Sequence, residues 1–138
     1  MITEDYVSFE IAKLLKEKGF DEKCQKVYMH NGQLLRAPIF MEGESFVNNK
    51  DIELVANYND WITYTQGEYA YLCPTLQMAC KWLREKHKIF IRIVEDVLGK
   101  LFELQIYQHG DCKLHNRVRD FYEEAVEAAI KYVLENLI

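Results

Sequence analysis

The sequence predicts an α+β fold: an antiparallel sheet of hairpins with about three helices packed on it, in a single domain spanning 1–138. Three observations predict it. Apolar residues recur at helical spacing in three separate segments. The strand-like segments between them come in pairs joined by short turns, and strands joined this way pair antiparallel. Finally, 138 residues of which 49% are hydrophobic make one ordinary domain, long enough to bury a core without staples.

The first helix is specified at both ends. Ser8 is a good N-cap, Ile11, Ala12, Leu14 and Leu15 share one side, and Glu10, Lys13 and Glu17 the other. Gly19 suits the left-handed C′ position, which puts Phe20 against Leu15 in a Schellman motif. A hairpin follows, its strands flanking Asn31-Gly32, the dipeptide that best tolerates the two positive φ angles of a type I′ turn. Residues 38–60 are poorly patterned and read as an irregular connection. A second hairpin is expected around Gln66-Gly67, with aromatic residues alternating on its strands. Pro74 and Thr75 open a second helix to His87, with Leu76, Ala79, Cys80, Trp82, Leu83 and His87 on its apolar face. A third hairpin turns at Leu98-Gly99-Lys100, with Ile89, Ile91 and Ile93 on one side of the pleat. Residues 108–119 read as a polar loop. Asp120 and Glu123 form an acidic variant of the capping box for a last helix, whose apolar stripe is Tyr122, Val126, Ala129, Ile130, Val133 and Leu137.

The formal charge of −5 is too small, and the apolar fraction too high, for a disordered chain. The charge is blocked. Residues 13–36 and 81–100 each hold six basic against three acidic residues, whereas 40–72 hold six acidic and one basic, and 120–138 five and one. Such blocks suit an acidic partner or self-association between unlike faces, although solvated faces explain them as well. Net acidity weighs against nucleic acid. The N-terminus lacks the basic start and apolar stretch of a secretory signal, and the longest apolar runs are a few residues, so a cytoplasmic protein without a membrane segment is expected. Four scattered cysteines, at 24, 73, 80 and 112, read as reduced thiols.

Chemistry is sparse. The six glycines stand apart, so no phosphate loop can be assembled, and neither Ser8 nor Ser45 lies in a nucleophile elbow. Cys80 and His87 are two turns apart, roughly 10 Å, too far for a thiol–imidazole pair. His109, Cys112 and His115 are equally spaced and could supply three zinc ligands, but the string lacks an adjacent fourth and does not match common structural spacings. No metal, cofactor or catalytic residue is therefore expected. The paired carboxylates Glu95-Asp96 and Glu123-Glu124 sit at turn edges and helix starts, where electrostatics and solvation explain them. Tyr58, Trp61, Tyr64 and Tyr69, with Tyr71, could line a partner surface, since Tyr and Trp offer large rigid faces with a polar tip; a half-buried hairpin is the ordinary explanation.

The segments PTLQMACKWLREKHKIFIRI (74–93) and FYEEAVEAAIKYVLENL (121–137) resemble a family of small uncharacterised proteins of gut-bacterial genomes and prophage-like or mobile elements. The likeness covers roughly the second half of the chain and the AKLLKEKGF segment; 38–72 have no counterpart in it. The family brings no activity or site residues, and implies only an accessory protein, of phage or mobile-element origin. Together with the missing catalytic motifs, this leads to a non-enzymatic protein that binds another protein or itself. Two alternatives stand beside it: a small cysteine- or metal-dependent hydrolase using His109, Cys112 and His115, and a weak nucleic-acid module presenting Lys81, Arg84 and Lys88 to phosphate.

Overall fold

A computed structural model of the chain describes residues 2–36, 46–52, 70–95 and 100–138. The class is mixed α+β, with two three-stranded antiparallel sheets. The chain divides into two compact units, Ser8–Pro74 and Met1–Val7 with Thr75–Ile138.

In the Ser8–Pro74 unit, α1 (Phe9–Glu17) is built as its sequence specifies. The Ser8 hydroxyl accepts from Ile11 N at 3.3 Å, satisfying one amide that the helix leaves without a partner. At the other end Phe20 N donates to Leu15 O at 2.9 Å and Gly19 N to Lys16 O at 3.1 Å, the two bonds of a Schellman motif. Phe20 and Leu15 are both buried. The sheet order is β2-β1-β3, from β1 (Lys26–Tyr28), β2 (Leu34–Arg36) and β3 (Tyr71–Cys73). Helix α1 packs on β3, with Phe9 against Tyr28 and Tyr71 at ring separations of 5.5 and 5.6 Å.

The first hairpin departs from expectation. Gly32 has φ +87°, but Asn31 does not have positive φ. Met29 N donates to Gln33 O and Gly32 N to Met29 O, both at 2.9 Å, so the loop has three residues and Gly32 is its left-handed bulge. The exposed Asn31 side chain instead bonds the backbone two residues on, its Oδ1 accepting from Gln33 N at 2.9 Å. The connection at 38–60 is also less irregular than expected where it is described. Cys24 and Val47 exchange backbone hydrogen bonds at 2.8 and 2.9 Å, and residues 49–52 are helical. Asn48 and Asp51 cap that turn reciprocally, each side chain accepting from the other's backbone amide at 3.0 Å. Of the second expected hairpin, only the end of its later strand, β3, lies within the described residues.

The other unit has the order α2 (Leu76–His87), β4 (Ile89–Glu95), β5 (Phe102–Gln108), β6 (Asp111–Arg119), α3 (Tyr122–Asn136). Thr75 caps α2, its hydroxyl accepting from Met78 N at 3.1 Å. The strands form a meander in the order β4-β5-β6. Ile91 opposes Ile106, which opposes Leu114, and Ile93 opposes Leu104. These residues share one face, since side chains alternate across a pleat. Helices α2 and α3 pack against the sheet. Trp82, Leu83, Ile89, Leu104, Ile106, Ala129, Ile130 and Val133 are all buried in this unit.

Two corrections fall here. Residues 108–119 are not a loop: Gln108 ends β5, His109-Gly110 makes a two-residue turn, and 111–119 are β6. His109 has φ +53° and Gly110 +82°, so the type I′ turn expected at Asn31-Gly32 occurs here instead. Second, Asp120 does not cap the last helix. Phe121 occupies the N-cap and makes no side-chain bond there. The apolar stripe of α3 is buried at Val126, Ala129, Ile130 and Val133, but Tyr122 is exposed.

Candidate functional site

The meander of β4, β5 and β6 has a second face. Alternation puts Phe90, Arg92 and Val94 of β4 on it, followed by Tyr107, Gln105 and Glu103 of β5, which are their direct register partners. Cys112 opposes Tyr107 and His115 opposes Gln105, and a bulge between these pairs absorbs Lys113. Phe90 is 51% exposed, and Arg92, Cys112 and His115 are exposed beside it. Phe90 is thus an exposed aromatic side chain standing opposite Tyr107 in register, on the face away from the isoleucines. The polar groups of this face are partly tied to each other. His115 Nε2 is ion-paired with the Glu103 carboxylate, and Tyr107 Oη donates to Gln105 Oε1 at 3.2 Å. Lys88 and Lys113 are exposed at the start of β4 and at the bulge.

The start of α3 is the other unusual surface. Phe121 is 61% and Tyr122 51% exposed. Tyr122 meets Phe102 edge to face at 5.9 Å. Asp120, Glu123 and Glu124 are exposed around them.

The residues singled out from the sequence fare differently. Tyr58, Trp61, Tyr64 and Tyr69 lie outside the described residues. His109, Cys112 and His115 do not converge as loop ligands: His109 is in the turn, Cys112 Sγ lies 3.5 Å from Leu114 O, and His115 is engaged by Glu103. Among the described residues no three His, Cys, Asp or Glu side chains are grouped to hold a metal. Cys80 is a poor nucleophile, because burial pushes its thiol up to about 11 against the lowering influence of Arg84. His87 stacks edge to face on Trp82 at 4.8 Å. Lys81, Arg84 and Lys88 are exposed on or just beyond α2. Two of them are engaged locally: Lys81 lies 3.9 Å from the Glu85 carboxylate and Lys88 Nζ donates to Glu85 O at 3.3 Å.

Sequence reasoning missed Phe90, Phe121 and Tyr122 as surface residues. For Phe90 the signal was present, since it alternates with the three isoleucines of β4 and so belongs to the opposite face. No described helix is long and apolar enough to cross a membrane. No protein-family model, curated protein or solved structure matches the chain.

Proposed function

We propose that this protein is a non-enzymatic accessory protein, of phage or mobile-element origin, that works in the cytoplasm by binding protein through the open face of its β4–β5–β6 sheet. The observation that carries the reading is Phe90: a large apolar side chain, 51% exposed, on the face of a sheet whose isoleucines face the other way. Aromatic residues and Arg are the residues enriched where protein interfaces bury most, and Phe90, Tyr107 and Arg92 lie on adjoining positions. The origin rests on the likeness of 74–93 and 121–137 to proteins of mobile elements. The hydrolase reading has less support, because His115 is committed to Glu103 and Cys112 is an exposed thiol with no imidazole bonded to it.

A photo-cross-linking side chain placed at Phe90 tests the reading in cells that naturally make the protein. Irradiation is expected to yield protein adducts from position 90, and none from an exposed control position at Lys81. Adducts to nucleic acid alone, or no adducts, would overturn it.

A further inference from the structure

We infer that the occupant of the open sheet face is a second copy of this chain, which presents the start of its own α3. This rests on the binding reading above and names the partner.

Phe121 stands where the first amides of α3 need a cap. An N-cap is normally Ser, Thr, Asp or Asn, whose side chain satisfies an amide of the first turn. Phe121 makes no such bond, and at 61% exposure it is not held by a core either. A residue that breaks a local rule without compensation inside the fold points to a requirement outside it. Tyr122, next in sequence, is half exposed as well. Two adjacent aromatic side chains at the tip of a helix therefore keep half or more of their surface open to solvent, Tyr122 beside its contact with Phe102. They are the kind of anchor that an exposed Phe90 and its neighbour Tyr107 would bury.

Charge then selects the partner. The start of α3 exposes Asp120, Glu123 and Glu124, and its first turn is acidic. The open sheet face exposes Arg92, and Lys113 is exposed at the bulge beside it; among the described residues of the face the carboxylate is that of Glu103, which His115 Nε2 contacts. An aromatic surface flanked by Asp120, Glu123 and Glu124 and an aromatic surface flanked by Arg92 and Lys113 thus occur on one chain. Complementary potentials of this kind steer and register association. Because each copy owns both surfaces, two copies can exchange both contacts about a two-fold axis, which closes the assembly as a dimer.

Sedimentation equilibrium on the full chain tests this, from about 1 µM to about 500 µM, a range that brackets micromolar to submillimolar dissociation constants. A mass of twice 16.4 kDa is expected. It should fall toward the single-chain mass as salt rises from about 0.01 to about 1 M and the screening length drops from about 30 to about 3 Å. Arg92→Glu and Glu124→Lys are each expected to weaken the dimer by about tenfold, and the chain carrying both to recover most of that loss, since the swapped charges again attract. Phe121→Ser, which supplies a capping hydroxyl, should weaken the dimer without lowering the melting temperature measured at a concentration low enough for both chains to be monomeric.

A monomer at every concentration overturns the inference. So does a dimer that ignores all of these substitutions, because its interface is then elsewhere. Salt-sensitive binding of an oligothymidylate that competes at Phe90, with the chain monomeric, would assign the face to single-stranded nucleic acid instead. A monomer that still cross-links from position 90 to a different protein would sink this inference and leave the binding reading standing.

Discussion

Gly32 and Gly19 offer a controlled comparison within one unit. Both have positive φ, +87° and +89°, so any L side chain at either position takes on the left-handed strain of about 1–2 kcal/mol. They differ in their surroundings. A Cβ at Gly32 would lie 3.3 Å from Cδ2 of Phe9 and 3.5 Å from its Cε2, whereas a Cβ at Gly19 meets nothing within 4 Å. Phe9 cannot retreat freely, because its ring is packed against Tyr28 and Tyr71 and lies under the Lys13 ammonium at 4.7 Å. Alanine at the two sites should therefore cost nearly the same, with a few tenths of a kcal/mol more at Gly32. Valine should separate them, since its methyl groups overpack the ring at Gly32 by about 1–3 kcal/mol beyond the shared strain. Urea unfolding of the two valine variants measures that difference directly, and a Phe9→Ala background should erase it. Equal losses at both glycines, or a difference that survives without the Phe9 ring, would refute the assignment of this turn and its contact.

Three further outcomes follow from burial. Trp82 is 6% exposed, so Trp82→Ala should lose about 3–5 kcal/mol in a chemical melt, and a loss under about 1 would mean α2 presents another side to its sheet. A thiol reagent added to native protein should modify Cys112 first, because it alone is exposed; Cys24 and Cys73 are buried and Cys80 is half-buried. Rapid modification of Cys24 would contradict its place in the core. Burial, with smaller contributions from Cys73, Glu22 and Asp21, pushes the Cys24 thiol from 9.0 up to about 12. Between those values the unfolded chain has released a proton that the folded chain keeps, so the Cys24 contribution is fully present below pH 9 and is lost as pH rises toward 12. Its slope is about 1.4 kcal/mol per pH unit, and Cys24→Ala should flatten the alkaline loss by that amount.

What the sequence made legible was local. The Ser8 and Thr75 caps and the Gly19-Phe20 termination each depend on residues within one turn of the helix end, and each forms. The strands β4 and β5 were legible because three isoleucines alternate across a buried face. The first turn was misjudged because a dipeptide preference competes with two forces that the dipeptide does not contain. One is the Asn31 side chain bonding Gln33 N; the other is the Phe9 ring against which Gly32 closes. Strand β6 was misread for a different reason. Its open face is polar, and a bulge at Lys113 breaks the alternation between Cys112 and Leu114, so no period of two survives in the sequence.

The candidate site was less legible than the fold, and the physics explains why. Periodicity reports which residues share a side, but it carries no information about how many layers cover that side. Tyr122 fits the helical stripe with Val126, Ala129, Ile130 and Val133, yet those four are buried and it is not. The helix begins with Tyr122, whose ring meets Phe102 edge to face and stays half exposed. Likewise Phe90 is as apolar as Ile89 and Ile91, and only the packing of α2 and α3 on one face decides which of them is buried. Linear charge blocks transferred better. The basic residues of 81–92 and the acidic residues of 120–124 remain exposed, because each block spans only a short run of one or two elements and long charged side chains keep their ends in water. The acidic block surrounds Phe121 and Tyr122, and Arg92 lies two residues from Phe90 on the same face. An interface therefore has to be read from that coincidence of charge and uncovered aromatic surface, which exists only once the layers are counted.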